Sequence, residues 1–211
     1  MKLNHRGLLI VLSGPSGVGK GTVRKALFNM EGHNLTYSVS MTTRKPREGE
    51  VDGVDYYFVS KEEFQKQIRR GNLLEYAKFV GNYYGTPKDK VEEQLKQGKE
   101  VFLEIDVEGA LKVKAKMPDA VFIFLVPPSK QALYDRLISR GTEGEYEVNE
   151  RIAKANREFD RASAYNYIVV NDEVNNAAEK ILTIIRAEHT KTSRILDEYL
   201  ELMGENQTWE D

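Results

Sequence analysis

Between Gly14 and Lys20 the chain reads GPSGVGK, which sets Gly14, Gly19 and Lys20 at the spacing G-x-x-x-x-G-K. Glycines so placed let successive backbone N–H groups curl inward around an anion. The lysine adds a point charge able to reach the β- and γ-phosphates of a nucleoside triphosphate. An apolar run, Gly7 to Ser13, precedes the loop, and a helical pattern, Thr22 to Met30, follows it. That context distinguishes a phosphate cradle from an ordinary strand-to-helix turn, because a helix N-terminus brings partial positive charge to the anion. The triphosphate contacts expected here are Gly14, Pro15, Ser16, Gly17, Val18, Gly19, Lys20, Gly21 and Thr22.

Gly21 departs from the usual pattern, in which a Ser or Thr hydroxyl after the lysine ligates Mg²⁺. Here the hydroxyl comes one residue later, at Thr22. One helical step turns a side chain by about 100°, so Thr22 need not point to the same place. Mg²⁺ keeps several waters and draws other ligands from substrate phosphates. The expectation is therefore a metal held through phosphates and water, with no direct protein ligand assigned.

Further chemistry-bearing residues lie downstream. Arg44 and Arg47 flank Pro46, followed by Glu50 and the tyrosines Tyr56 and Tyr57. Two arginines so close could clamp a phosphate with charge-assisted bonds, or form a solvated basic turn. Glu75 lies beside an apolar pair, and GNYYGT, Gly81 to Thr86, reads as a hairpin turn followed by a hydroxyl. The run VFLEID ends in acids, and either Glu104 or Asp106 could hold metal-bound water at a strand's C-terminal end. Arg136 and Arg140 are four apart, on one helix face. Arg151 and Arg157 follow on a returning helix, Arg157 reading as a surface arginine. His5, His33 and His189 read as surface residues.

These groups need a scaffold. The 211 residues suit one domain with inserted lobes. Apolar runs at Gly7–Ser13, Glu100–Asp106, Ala120–Val126 and Tyr165–Asn171 alternate with helical patterns at Pro87–Gln97, Val107–Lys116, Ser129–Ser139 and Glu147–Arg161. A single long helix, Asn175 to about Leu202, closes the series. Strands alternating with helices imply an α/β fold with a parallel sheet flanked by helices. Leu35 to Val80 breaks the rhythm with short strand-like pieces and one helix, Glu62 to Arg70, and reads as an inserted lobe. The polar stretch Arg140 to Tyr146 reads as part of a lid.

The formal net charge is −2, which gives no reason to expect nucleic acid. There is no cysteine, hence no disulfide and no thiol-based metal site or nucleophile. No signal-peptide pattern opens the chain, and no apolar stretch approaches the ~20 residues of a membrane span. These features lead to the expectation of a cytoplasmic protein without membrane association.

Taken together, GPSGVGKGT, SVSMTTRKPREGEVDGVDYYF, GNYYGTP, EIDVEGA, RLISRGTE and IVVND resemble the bacterial guanylate kinases from Arg6 to about Ala187. The loop ending GKGT is also similar to that of adenylate kinases. The resemblance implies a P-loop NTPase core (1–34, 87–139 and 162–204), a GMP-binding lobe at 35–86 and a lid at 140–161. It implies phosphoryl transfer from ATP to GMP with Mg²⁺, serving purine nucleotide metabolism and GMP recycling, with homo-oligomerisation left open. By the same resemblance, Glu75 takes the guanine donors, Ser40 and Thr86 meet the base's acceptor edge, and Asp106 lies near the donor edge. Arg44, Arg47, Tyr56 and Tyr84 match positions that hold the GMP phosphate, and Glu50 either joins them or orients the arginines. Arg140 and Arg151 match lid residues reaching the transferred phosphate. Arg136 supports the ATP side, and Asn171 with Asp172 matches a position near adenine.

Two rival readings fit the sequence less well. Guanylate kinase-like scaffold domains bind peptides, but they usually have a degraded phosphate loop, whereas this chain keeps Lys20 and the lid arginines. A kinase for another nucleoside monophosphate conflicts with Glu75, Ser40 and Thr86, since adenine would leave the carboxylate unpaired.

Overall fold

The structure, a computed structural model, describes residues 6–138 and 145–204, with only the backbone for 145–149. The first strand, β1 (Leu9–Ser13), is buried along its whole length. It leads through the glycine loop into α1 (Lys20–Phe28), and then into β2 (Leu35–Tyr37). An inserted section follows: β3 (Met41–Thr42), β4 (Tyr57–Phe58), α2 (Lys61–Arg69), β5 (Leu73–Phe79) and β6 (Asn82–Pro87). The chain then returns through α3 (Lys88–Lys96), β7 (Glu100–Glu104), α4 (Val107–Lys116), β8 (Val121–Val126), α5 (Lys130–Ile138) and α6 (Glu145–Phe159). After β9 (Tyr167–Val170) come α7 (Val174–Glu188) and α8 (Thr192–Met203).

The core is a five-stranded sheet in the order β2-β7-β1-β8-β9, parallel throughout. β1 is its middle strand. Ile10 and Leu12 enter one apolar cluster with Val23 and Leu27 of α1 and Ile181 and Ile185 of α7. Leu9 and Val11 enter a second cluster with Val91 and Leu95 of α3 and Ala110 and Val113 of α4. Because helices cover both faces, the strand reads as an unbroken apolar run rather than as an alternation. The order reverses at β1, with β7 on one side and β8 on the other, and the glycine loop leaves from β1's C-terminal end. That is where open α/β sheets bind ligands.

The inserted section folds as a separate four-stranded sheet, β4-β3-β6-β5. β2, expected within the inserted lobe, is instead the edge strand of the core sheet, paired with β7. The expected hairpin turn also shifts. Val80 and Gly81 form it, both with positive φ (45° and 79°), and Asn82–Pro87 is strand. Residues Tyr83 to Thr86 thereby pair across the sheet instead of capping a turn.

The expected terminal helix is two helices. Nothing in EHTKTS breaks a helix as Gly or Pro would; the break is tertiary. Glu188, 2% exposed, accepts from Tyr167 Oη at 2.5 Å, Arg194 Nε at 3.0 Å and Arg194 Nη2 at 2.9 Å. Lys191 Nζ lies 3.4 Å from Oε1, the oxygen that takes the Tyr167 hydroxyl. Arg194 also donates to the Asp119 carbonyl at 2.8 Å. This cluster folds α8 back toward the β8 edge. Burial pushes the Glu188 carboxyl up, but the Tyr167 hydroxyl and Arg194 outweigh it and hold the group below its ordinary value. Its stabilisation is thus present above the ordinary carboxylate range and is lost as pH falls through the depressed folded value. Glu188→Ala leaves Arg194 and Tyr167 facing a void, and is expected to cost about 3 kcal/mol, measured as a drop in the urea midpoint of unfolding.

The histidines depart from expectation too. His189 pairs with Glu100 at 2.8 Å, and His33 bonds the Leu27 carbonyl at 3.1 Å. Both are half-buried and tie helix ends to the core; His5 lies outside the described residues.

Candidate active site

The glycine loop begins at Gly14, whose φ is +150°. A Cβ there would sit 2.3 Å from the Leu125 carbonyl oxygen, so the close pass against β8 requires glycine. Gly19 has φ +94°, and a Cβ on it would meet Asn171 Nδ2 at 2.7 Å. Lys20 opens α1 and folds back over the loop, donating from Nζ to the carbonyls of Gly14 (2.6 Å) and Pro15 (3.0 Å). Burial lowers its pKa, while Glu104, Glu158 and Asp106 oppose that shift.

Three side chains brace the loop from behind. Asn171, 2% exposed, donates from Nδ2 to the Val18 carbonyl at 2.8 Å. Arg136 of α5 donates to the same carbonyl at 3.2 Å and to the Asn171 carbonyl at 3.0 Å. The Asn171 side chain is buried under the loop and holds the loop's shape, while Asp172 is exposed. Arg136 thus ties α5 to the glycine loop. From α6, Arg151 donates to Ser16 Oγ at 2.6 Å, which brings the returning helix onto the loop. Arg157 on that helix is exposed. Arg140 lies outside the described residues.

At the start of α1, Gly21 borders an acid. A Cβ at that position would lie 3.5 Å from Glu104 Oε1. Glu104, at the end of β7, is held by Arg24 Nε at 2.8 Å. Position 21 thus borders a carboxylate where the usual motif has a hydroxyl. Asp106, two residues on, is the N-cap of α4 and accepts from the Gly109 amide at 2.7 Å. Among the described residues there is no cluster of three or more His, Asp or Glu arranged to hold a metal ion.

The inserted sheet carries a second group of polar residues. Pairing between β5 and β6 shifts register between Leu73 and Tyr76. Leu73, Leu74 and Glu75 are consequently buried in succession, as an irregularity that re-aims a side chain allows. Glu75 Oε1 accepts from Thr86 Oγ1 at 2.7 Å. Its Oε2 lies near Gly109, where a Cβ would come within 3.4 Å. Burial raises the Glu75 pKa, partly opposed by Thr86 and reinforced by Asp106. Asp106 shares the Gly109 border: the same Cβ would lie 3.1 Å from its Oδ1.

Arg44 is fixed by Glu50 in a two-pronged pair, Nη1 to Oε2 at 2.9 Å and Nη2 to Oε1 at 2.8 Å. Its guanidinium lies over the rings of Tyr56 (5.4 Å) and Phe58 (5.7 Å). Tyr84 touches both Arg44 and the Tyr56 ring. The Arg47 amide donates to Glu50 at 2.7 Å. The Arg44 guanidinium and the Arg47 amide bring the Glu50 carboxyl down to about 2. Glu50 is thereby committed to orienting Arg44. Arg47 is exposed, and Ser40 is half-buried on the strand flank.

Residues missed by the sequence reading are Glu158, Ser13 and Tyr165. Glu158 on α6, Tyr165, and Ser13 just before the loop each carry a buried oxygen without a hydrogen-bond partner. The signal for Glu158 was its position seven residues after Arg151, on the same helix face.

A protein-family model described as guanylate kinase matches residues 6–188. A guanylate kinase of Onion yellows phytoplasma is 64% identical over 207 residues, 98% of each chain. A guanylate kinase of Enterococcus faecalis is 56% identical, covering 96% of this chain and all of that one. The crystal structure of guanylate kinase from Anaplasma phagocytophilum superposes with a TM-score of 0.72 at 36% identity, over 95% of this chain and 97% of that chain. A phosphate loop braced from α5, α6 and β9, facing a buried carboxylate on an inserted sheet, is thus found on a chain that belongs to the guanylate kinase family.

Proposed function

We propose that this chain transfers the γ-phosphoryl group of ATP to GMP, giving ADP and GDP, in purine nucleotide metabolism and GMP recycling. The observation that carries this reading is a phosphate loop with Lys20 folded over it, together with a buried carboxylate, Glu75, held by Thr86 at 2.7 Å and sharing the edge of Gly109 with Asp106. Glu75, in its ionised form, would accept from guanine N1–H and the N2 amino group. Thr86, already on Glu75, and Ser40 would serve the base's acceptor edge. Arg44, Arg47, Tyr56 and Tyr84 would hold the GMP phosphate, with Glu50 keeping Arg44 aimed.

On the other side, the amides from Gly14 to Thr22 and the Lys20 ammonium hold the triphosphate. The reaction forms a bond from a GMP phosphate oxygen to the γ-phosphorus and breaks the bond to the β–γ bridging oxygen, without a covalent enzyme intermediate. Its charge spreads over the phosphoryl oxygens, so positioned cations lower the barrier. Lys20, Arg44, Arg151 and Arg140 are assigned that role. Residues 41–87 act as the GMP lobe and 140–161 as the lid that excludes water. Mg²⁺ fits this setting: the Glu104 carboxylate beside Gly21 and the Asp106 carboxylate would hold it through water, and the ion would neutralise phosphate charge. The protein acts on small nucleotides rather than on nucleic acid or membrane. It works in the cytoplasm, alone or as a homo-oligomer; none of the described helices is long and apolar enough to cross a membrane.

A coupled assay of ADP formation with GMP, AMP, UMP and CMP tests the reading. Turnover with GMP at least about 100-fold above the others is expected from a site whose buried polar group must be paired. Equal rates with AMP would overturn it.

A further inference from the structure

β5 is an edge strand of the inserted sheet, with β6 as its neighbour. Its ladder pairs Leu73 with Pro87 and then Tyr76 with Gly85. Three steps on β5, from 73 to 76, thus oppose two on β6, from 87 to 85, so β5 carries one extra residue there. That extra residue lets Leu74 and Glu75 both be buried. Leu74 enters the core cluster with Val91 and Leu95, and Glu75 turns to Thr86. Gly85 lets β6 pass close, since a Cβ there would stand 2.8 Å from the Glu75 carbonyl oxygen. An interrupted ladder on an edge strand leaves carbonyls without a strand donor.

Helix α4 supplies donors in their place. The Asn72 carbonyl takes the Lys88 amide across the ladder, so the next carbonyl, that of Leu73, points away from β6. Lys116 Nζ donates to it at 2.6 Å. Beyond the extra residue, Lys112 Nζ donates to the Tyr76 carbonyl at 3.1 Å and stands 5.7 Å from the centre of the Tyr76 ring. Both lysines are exposed residues, yet each commits its ammonium to main chain. Gly109, Lys112 and Lys116 share one face of α4 at helical spacing, and Gly109 is the residue that borders Glu75 Oε2. The helix itself is anchored elsewhere: Ala110 and Val113 pack in the core cluster, and Asp106 caps its first turn. Two contacts from a core helix thus bracket the Glu75 main chain.

We propose that Lys112 and Lys116 are positioning residues for guanine selection: they pin the Leu73 and Tyr76 carbonyls on either side of the extra residue and so fix where the Glu75 carboxylate stands. This deepens the functional reading above and rests on its assignment of Glu75 to guanine. Neither lysine is assigned a contact with nucleotide; both act through β5. Lysine suits the task, because an ammonium on a flexible four-carbon stem reaches a lone carbonyl as a compact donor. Misplacing a recognition group by about 1 Å can cost about 100-fold, so a clamp on the main chain bears directly on discrimination.

The test is steady-state kinetics of the full chain carrying Lys116→Met or, separately, Lys112→Met. Each keeps an apolar stem and removes the donor. KM for GMP should rise about tenfold in each, with kcat at saturating GMP and KM for ATP within about twofold. Because the lysines act through position 75, either substitution made in a Glu75→Gln chain should change kcat/KM for GMP by less than about twofold, the non-additivity of residues that work as one unit. An unchanged KM for GMP in either folded variant, an equal rise in KM for ATP, or the same tenfold loss on the Glu75→Gln background overturns the proposal. If Lys116→Met does not fold, Lys112→Met decides the question. If Glu75→Gln alone leaves GMP kinetics as in the native chain, the assignment of Glu75 to guanine fails, and the clamp's purpose fails with it.

Discussion

Lys20→Ala is expected to lower turnover about 1,000-fold, a barrier increase of about 4 kcal/mol, while leaving the dissociation constant for GMP within about twofold. The magnitude follows from what the ammonium does. It rests on the Gly14 and Pro15 carbonyls, at 2.6 and 3.0 Å. Both contacts lie inside the loop, so the charge is stored beside the place where phosphate oxygens will sit. Burial lowers its pKa, and Glu104, Glu158 and Asp106 hold the charged form against that loss. A charge preorganised in this way costs little to redeploy as negative charge spreads over the transferring group, and removing one such donor costs about 10²–10³ in rate. The GMP residues sit on β5, β6 and the Arg44 turn, none of which contacts Lys20 by hydrogen bond. Single-turnover kinetics and a GMP titration on the same preparation check both halves. Full turnover in the variant would mean that the loop does not carry the chemistry.

The loop was legible from sequence because its requirements are local. Gly14 and Gly19 are set by backbone conformation and close approach, and a residue type at a fixed spacing records both. The buried strands were legible for a similar reason: helices on both faces turn β1 into the continuous run LIVLS. Glu158 was not legible in this way. Its burial depends on Phe159 and Ala155 packing α6 against α5, and the docking of that helix on Arg151 meeting Ser16 across 135 positions. The break between α7 and α8 was hidden likewise, since it follows from Glu188 being claimed by Tyr167 and Arg194 rather than from any helix-breaking residue. The bracing of the loop by Asn171 was hidden as well: its Nδ2 meets the Val18 carbonyl across 153 positions. Glu50 remained ambiguous until its two oxygens were seen taken up by Arg44 and the Arg47 amide.

Glu75→Gln should reduce kcat/KM for GMP about 100- to 1,000-fold, with ATP affinity unchanged, because a carboxamide turns one acceptor into a donor facing guanine's own donors. The setting makes the exchange costly. Glu75 is 9% exposed, so water cannot repair the mismatch, and a buried group left unpaired costs about 1–3 kcal/mol, more if charged. Thr86 already donates to Oε1, which fixes the carboxylate's orientation before guanine arrives. The register shift in β5 and the bare Gly109 leave room for it, so the substitution keeps the shape and changes only the chemistry. The same burial raises the pKa of Glu75, with Asp106 adding to the shift and Thr86 opposing it. The sign for binding follows directly. Guanine's donors select the ionised form, so GMP affinity is full above the raised pKa and is lost as pH falls through it. KM for GMP should therefore rise on the acid side of neutrality at a pH where an ordinary carboxylate would still be ionised. In Glu75→Gln that acid limb should flatten, since the group that titrates is gone. An acid limb that persists unchanged in the variant would assign the titration, and with it the guanine contact, to another group.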